Sequence, residues 1–327
     1  MLRLPSSWTW DFWLIRDEST YHLFFLKASR ALHDPDRRHL RATIGHAISE
    51  DLRSWTEVAD ALVPSDAPAA DDLAVWTGSV IRDDQGGWWM FYTGVARREH
   101  GLVQKILAAT STDLMTWHKR PGLVLEADAR WYEKLDDDGW HEEAFRDPWV
   151  ARTSTDGPWQ MLITARDKDG APDNRGVVGV ATSSDLRSWQ QQAPLTLPGA
   201  GFGHLEVLQA EVVNGRAVLI FSCPTAALSG ERRARGQRGG IWYALTDGKQ
   251  AFNIDEARRL TNETVYSGRL IQDPTTAWSL LAFRNLDESG AFVGELADPV
   301  RVAWSNDGAR LELIDAPDDW LPQRQQR

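Results

Sequence analysis

Three carboxylates stand in settings where carboxylates are out of place. Asp11 lies within Thr9-Trp10-Asp11-Phe12-Trp13, Asp147 within Phe145-Arg146-Asp147-Pro148-Trp149-Val150, and Glu206 within His204-Leu205-Glu206-Val207-Leu208-Gln209. Carboxylates gathered at one place repel unless a cation, a ligand or a shared proton compensates them. Cleavage of a glycosidic bond uses that tension. One carboxylate attacks the sugar carbon or activates water, and another with a raised pKa protonates the leaving oxygen. The alternative for each alone is a turn cap or an ion pair, as Arg146 could form with Asp147. The fold decides which applies, because it must bring the three together.

A repeat supplies that fold. The phrase Ser-x-Asp-Leu-x-x-Trp occurs three times, ending at Trp55, Trp117 and Trp189. A second phrase, an apolar strand of about six residues, occurs five times, starting at Tyr21, Trp88, Trp159, Ala217 and Trp278. The starts are 58 to 71 residues apart, so five copies fill the 327 residues. Turn residues such as Asp83-Asp84-Gln85-Gly86-Gly87 and Asn214-Gly215 break each unit into short strands. No stretch holds a helical apolar period for three turns. Five units of about four strands predict an all-β fold, a five-bladed β-propeller spanning residues 1–327 as one catalytic domain, with the last few residues disordered. A β-sandwich gives no reason for such a period. Asp51, Asp113 and Asp185 are expected to bond turn amides, and the Trp of each phrase to pack between blades.

In a propeller the first strand of each blade lines the central channel. Asp11, Thr77, Asp147, Glu206 and Ser267 precede their apolar strands by 10 to 12 residues. That near-constant spacing predicts a ring at one end of the channel holding all three carboxylates.

These residues resemble the five-bladed furanosidases of glycoside hydrolase families 32 and 68, the invertase and levansucrase type, and more distantly family 43. Trp10-Asp11-Phe12-Trp13 resembles the nucleophile segment. Trp76-Thr77-Gly78-Ser79 resembles the segment beside the fructose site. Phe145-Arg146-Asp147-Pro148 matches the Arg-Asp-Pro segment, and Leu205-Glu206-Val207-Leu208 sits where the acid/base segment falls, with Leu208 in place of the usual Pro. The resemblance implies a retaining hydrolase of β-fructofuranosides such as sucrose or short fructo-oligosaccharides, with fructosyl transfer as a variant outcome. Asp11 would be the nucleophile, Glu206 the acid/base and Asp147 the stabiliser of the transition state. Glu142, Glu143 and Glu211 are alternatives for the acid. Trp10, Trp76, Ser79 and Arg146 would contact the sugar, and Trp13 divides between sugar wall and core. The β-sandwich that follows the propeller in invertases is not expected. An inverting arabinofuranosidase and a non-catalytic carbohydrate-binding propeller are the other readings.

The remaining features narrow the partners to a small carbohydrate. Lys and Arg number 36 against 47 Asp and Glu, a net charge of −11, which argues against nucleic acid. No apolar run approaches the roughly 20 residues of a membrane span. The start has no signal-peptide layout, and one cysteine, Cys223, permits no internal disulfide, so a cytoplasmic protein is expected. Two-carboxylate chemistry calls for no cofactor. His33 and His39 lie in a charged loop without metal-ligand spacing, and no metal is expected. The Gly199–Gly203 run leads into a strand and reads as a turn that brings in Glu206. Arg232, Arg233, Arg235 and Arg238 read as a solvated loop or a pocket rim. Trp131 to Trp140, with Asp136, Asp137 and Asp138, reads as an inter-blade insertion that either shapes the leaving-group side or lies on the surface.

Overall fold

Five antiparallel four-stranded meanders surround a channel in the computed structural model, each cut from one contiguous segment. The structure describes residues 1–322 except 138, 153, 155 and 247–251. Asp138 and the last residues, 323–327, therefore lie outside the described residues. The inner strands are Ser7–Asp17, Ala74–Arg82, Phe145–Arg152, Glu206–Val213 and Val265–Gln272. The five apolar phrases form the second strands, from Thr20–Ser29 to Trp278–Leu286. In the fifth blade the strand Phe292–Leu296 pairs with Trp278–Leu286 beside the four-stranded path.

A sheet buried on both faces needs apolar side chains on both, which is why the second strands read as unbroken apolar runs. Five apolar clusters result, one at each blade interface, including one between blades five and one. The ring closes through backbone bonds between Leu2 and Leu296 at 3.0 and 3.1 Å, with no strand exchanged between blades. The blades occupy residues 7–314, and no β-sandwich follows among the described residues.

The three Ser-x-Asp-Leu-x-x-Trp phrases make one turn each. Asp51, Asp113 and Asp185 each accept two backbone N–H bonds at 2.7–2.9 Å. Leu52, Leu114 and Leu186 take φ of 62–63°, a left-handed conformation costing on the order of 1 kcal/mol. Burying each leucine, worth about 1.5–3 kcal/mol, offsets it. The tryptophans then pack on the preceding blade: Trp117 edge-on to Phe24, Trp189 edge-on to Phe91, and Trp55 against the cluster shared by blades five and one.

Every inner strand carries a β-bulge at one equivalent place, between Trp10 and Phe12, Trp76 and Gly78, Arg146 and Trp149, Glu206 and Gln209, and Tyr266 and Arg269. A bulge adds one residue and re-aims the side chains around it. At Gly78 the backbone of the second strand comes so close that a Cβ would stand 2.1 Å from the Phe91 carbonyl oxygen. The bulges sort the channel residues into tiers. Trp10, Trp76, Arg146, Glu206 and Tyr266 share the first tier; Asp11, Thr77, Asp147, Val207 and Ser267 share the second. Positive φ at Asp147, Val207 and Ser267 (55°, 55° and 50°) marks the same equivalence.

Glu206 therefore does not share the register of Asp11 and Asp147, as the residue count predicted. It stands one position earlier, beside Arg146 in register. The reason is hairpin length. The Asn214-Gly215 turn lets Val213 pair Arg216, whereas the hairpin after Arg152 is two residues longer, so equal counts do not give equal positions.

Candidate active site

The two tiers meet in a cavity of about 430 Å³ at one end of the channel, within the range of small-molecule sites. Asp11, Asp147 and Glu206 all line it, with Trp10, Trp76 and Arg146. Ser79 does not. Its position is two residues past the Thr77 tier, its side chain is 1 % exposed, and its hydroxyl accepts the Val150 N–H at 3.1 Å. The bulge turns Ser79 toward the neighbouring blade, so the expected sugar contact is corrected to an inter-blade tie. Trp13 is fully buried and stacks near Phe24, which makes it core.

Asp11 is held from both sides. Thr77 Oγ1 donates to its Oδ2 at 2.8 Å and Ser267 Oγ to its Oδ1 at 2.6 Å. Burial pushes its pKa up, partly offset by those two hydroxyls. Asp147 gathers its protein donors on Oδ2, from the Val207 N–H and Thr164 Oγ1, both at 3.1 Å. Burial raises Asp147 as well, against the pull of Arg146.

Arg146 organises the first tier. Its two terminal nitrogens reach Glu142 and Glu206, each at 2.7 Å, and its Nε stands 3.7 Å from Asp147. Burial disfavours the guanidinium, but these three carboxylates reverse that and raise its pKa. Glu206 also accepts the Tyr266 hydroxyl and stands 3.4 Å from His204 Nε2. Burial would raise Glu206; His204, Arg146 and the Tyr266 bond outweigh it and hold it well below the usual carboxylate range. Glu142 is lowered too, because Arg146 outweighs its burial.

Of the alternative acids, only Glu142 reaches the cavity. Glu143 is buried in an ion pair with Lys134 at 2.5 Å, and Glu211 accepts from Gln209 elsewhere on its strand. The insertion around residues 131–143 is a built wall. Glu133, 3 % exposed, pairs with Arg166 and, at 2.5 Å, with Arg175. Arg166 lies 4.0 Å over Trp140, whose ring borders His204 at 5.9 Å. This anchoring delivers His141 and Glu142 to the cavity.

The sequence reading missed several lining residues. His39, assigned to a solvated loop, stands edge-on to Trp10 at 5.9 Å, and its carbonyl accepts the Trp76 Nε1–H at 2.7 Å. His100, His141 and His204 also line the cavity. Tyr266 was legible, since it occupies the repeat position of Trp10, Trp76 and Arg146. Of the arginine run, Arg232 packs on Phe202 and Trp242 instead of rimming the cavity. No cluster of three metal-ligating side chains occurs among the described residues.

This arrangement places two raised aspartates and a lowered, cation-held glutamate around one cavity, the components of double-displacement chemistry at a sugar carbon. The profile of the glycosyl hydrolases family 32 N-terminal domain matches residues 13–293. The chain belongs to glycosyl hydrolases family 32. Asp147 and Glu206 lie within the family match, and Asp11 lies two residues before it. A beta-fructofuranosidase, an insoluble isoenzyme of Arabidopsis thaliana, is 27% identical over 192 residues, covering 57% of this chain and 32% of that protein. The family 32 chain thus matches about a third of the length of that relative. In fold, it is similar to an inulosucrase from Halalkalicoccus jeotgali bound to kestose (TM-score 0.77, 23% identity, 96% of this chain and 90% of that one). A family 32 beta-fructofuranosidase from Bombyx mori gives a TM-score of 0.70 at 18% identity, over 96% of this chain and 64% of that one. These likenesses bear out the five-bladed propeller. No helix among the described residues is long and apolar enough to cross a membrane.

Proposed function

We propose that this family 32 chain is a retaining glycoside hydrolase of β-fructofuranosides, acting on sucrose or short fructo-oligosaccharides as one catalytic propeller domain. The observation that carries the reading is the convergence of Asp11, Asp147 and Glu206 on one cavity in a chain of this family. Asp11 attacks the anomeric carbon and forms the covalent intermediate. Glu206 protonates the leaving oxygen and then deprotonates the incoming water. Asp147 presents Oδ1 to ring hydroxyls, and its hold strengthens as positive charge develops on the sugar. Trp10 and Trp76 wall the sugar, and Arg146 orients Glu206. The chemistry requires Glu206 protonated and Asp11 ionised together. In the empty site burial raises Asp11, while His204, Arg146 and Tyr266 lower Glu206, so that microstate is the minor one. A cytoplasmic location stays part of the proposal, resting on a composition with a single thiol.

The test is turnover of sucrose by purified protein, with the first-formed anomer of fructose read by NMR. Early release of the β anomer supports the reading. Early release of the α anomer would mean inversion, and no turnover of any fructoside would leave a binding propeller.

A further inference from the structure

Two positions along the channel from Ser267 lies a buried cation that the reaction above does not use. Arg269 is 1 % exposed, and no carboxylate lies within ion-pair distance of it among the described residues. Its guanidinium instead bridges strands. Nε donates to the Phe12 carbonyl at 3.0 Å, and one terminal nitrogen donates to the Leu208 carbonyl at 2.6 Å. The guanidinium carbon stands 5.1 Å from the Trp149 ring, and the other terminal nitrogen has no hydrogen-bond partner. A buried guanidinium without a carboxylate is costly, so a local role is called for.

The two carbonyls define that role. Phe12 follows Asp11, and Leu208 lies two residues after Glu206. One rigid fork thus ties the strand of the nucleophile to the strand of the acid/base, across blade five. Retaining chemistry needs the two carboxyl groups about 5–5.5 Å apart, and it is intolerant of shifts near 1 Å. We propose that Arg269 is a positioning residue that sets the Asp11–Glu206 separation and supplies buried positive charge to Asp11 and Asp147. The inference rests on the functional reading above.

The charges around Arg269 agree with this. Asp147, Asp11 and Glu211 act on it, and burial draws its pKa down to about 10. Asp11 faces Glu206 and Arg38 besides, and Asp147 faces Arg146, Asp11 and Glu206. Arg38 is the other cation acting on Asp11, so loss of Arg269 leaves the nucleophile short of compensation.

Two variants separate the fork from the charge. R269Q removes the charge, and the Asp11 carboxyl, followed by carbon-13 NMR with Asp11→Asn as the assignment control, should titrate about one pH unit higher. The acidic limb of kcat/KM on sucrose should move upward with it. R269K keeps the charge but cannot span both carbonyls. Its acidic limb should stay within about 0.3 units of wild type while kcat falls at least tenfold and KM changes little. An unmoved Asp11 titration in R269Q overturns the charge, and wild-type kcat in R269K overturns the fork. Should R269Q fail to fold, R269K alone decides by its kcat. A wild type that shifts as expected by NMR but cleaves no fructoside refutes the functional reading and not the electrostatic one.

Discussion

Replacing Arg146 by methionine removes one guanidinium from three carboxylates and leaves a side chain of similar reach. The two contacts at 2.7 Å, to Glu142 and Glu206, put charge centres about 4 Å apart, worth about 4 kcal/mol each at an effective dielectric of 20. Desolvation of the ions offsets much of that in the intact site. Its removal leaves buried carboxylates unpaired, and such losses run to about 3–5 kcal/mol at neutral pH. The pH dependence follows from the direction of the shifts. Glu142 and Glu206 are lowered in the folded protein, so their stabilisation is present above the unfolded carboxylate value of about 4.3. It is lost as pH falls through the lowered folded values. In Arg146→Met burial acts on them without the cation and raises both. They then oppose folding above the raised values and cease to do so once protonated. The stability gap between wild type and variant should therefore shrink from about 3–5 kcal/mol at pH 7 to about half or less at pH 4. Urea unfolding followed by tryptophan fluorescence at both pH values measures it. An equal gap at pH 7 and pH 4 would mean that Arg146 acts through packing, and the charge argument would fail.

Three further outcomes are expected. Glu206→Gln should lose at least a hundredfold in kcat on sucrose but far less on a fructoside whose leaving group needs no proton, with azide restoring part of the rate; wild-type turnover of sucrose would move the acid to Glu142. Asp147→Asn should lower kcat by about 10²–10³ with substrate affinity nearly unchanged, so an equal loss in both would show ground-state binding instead. Glu133→Gln should destabilise the chain by about 3 kcal/mol in urea and expose residues 131–143 to limited proteolysis, since it leaves Arg166 and Arg175 buried without their carboxylate; a neutral effect would show that the wall stands on Trp140 packing alone.

The architecture was legible in the sequence because it is periodic. An apolar strand that must be buried on both faces writes itself as an unbroken run, and five such runs at similar spacing admit one ring. The turn phrases were legible for the same local reason, since an Asp that bonds the two or three amides after it needs nothing distant. Asp11 and Asp147 could be placed by counting, because their hairpins happen to keep the count in step with the bulge.

Glu206 shows where counting stops. Its register depends on a hairpin two residues shorter and on a bulge, and neither has a strong sequence signal. Ser79 fails for a related reason: a motif fixes neighbours along a strand, while the bulge decides which of them faces the cavity. His39, His100, His141 and Glu142 come from loops of different blades, so no local pattern could collect them. Arg146 is the clearest case. Adjacent in sequence to Asp147, it looked like that residue's partner, yet its closest contacts are Glu142 and Glu206. A guanidinium at the end of a long side chain chooses among the carboxylates the fold presents to it. Chain order fixed what each strand carries; closure of the ring decided which charges meet, because charge pairing depends on distances between blades that no single blade encodes.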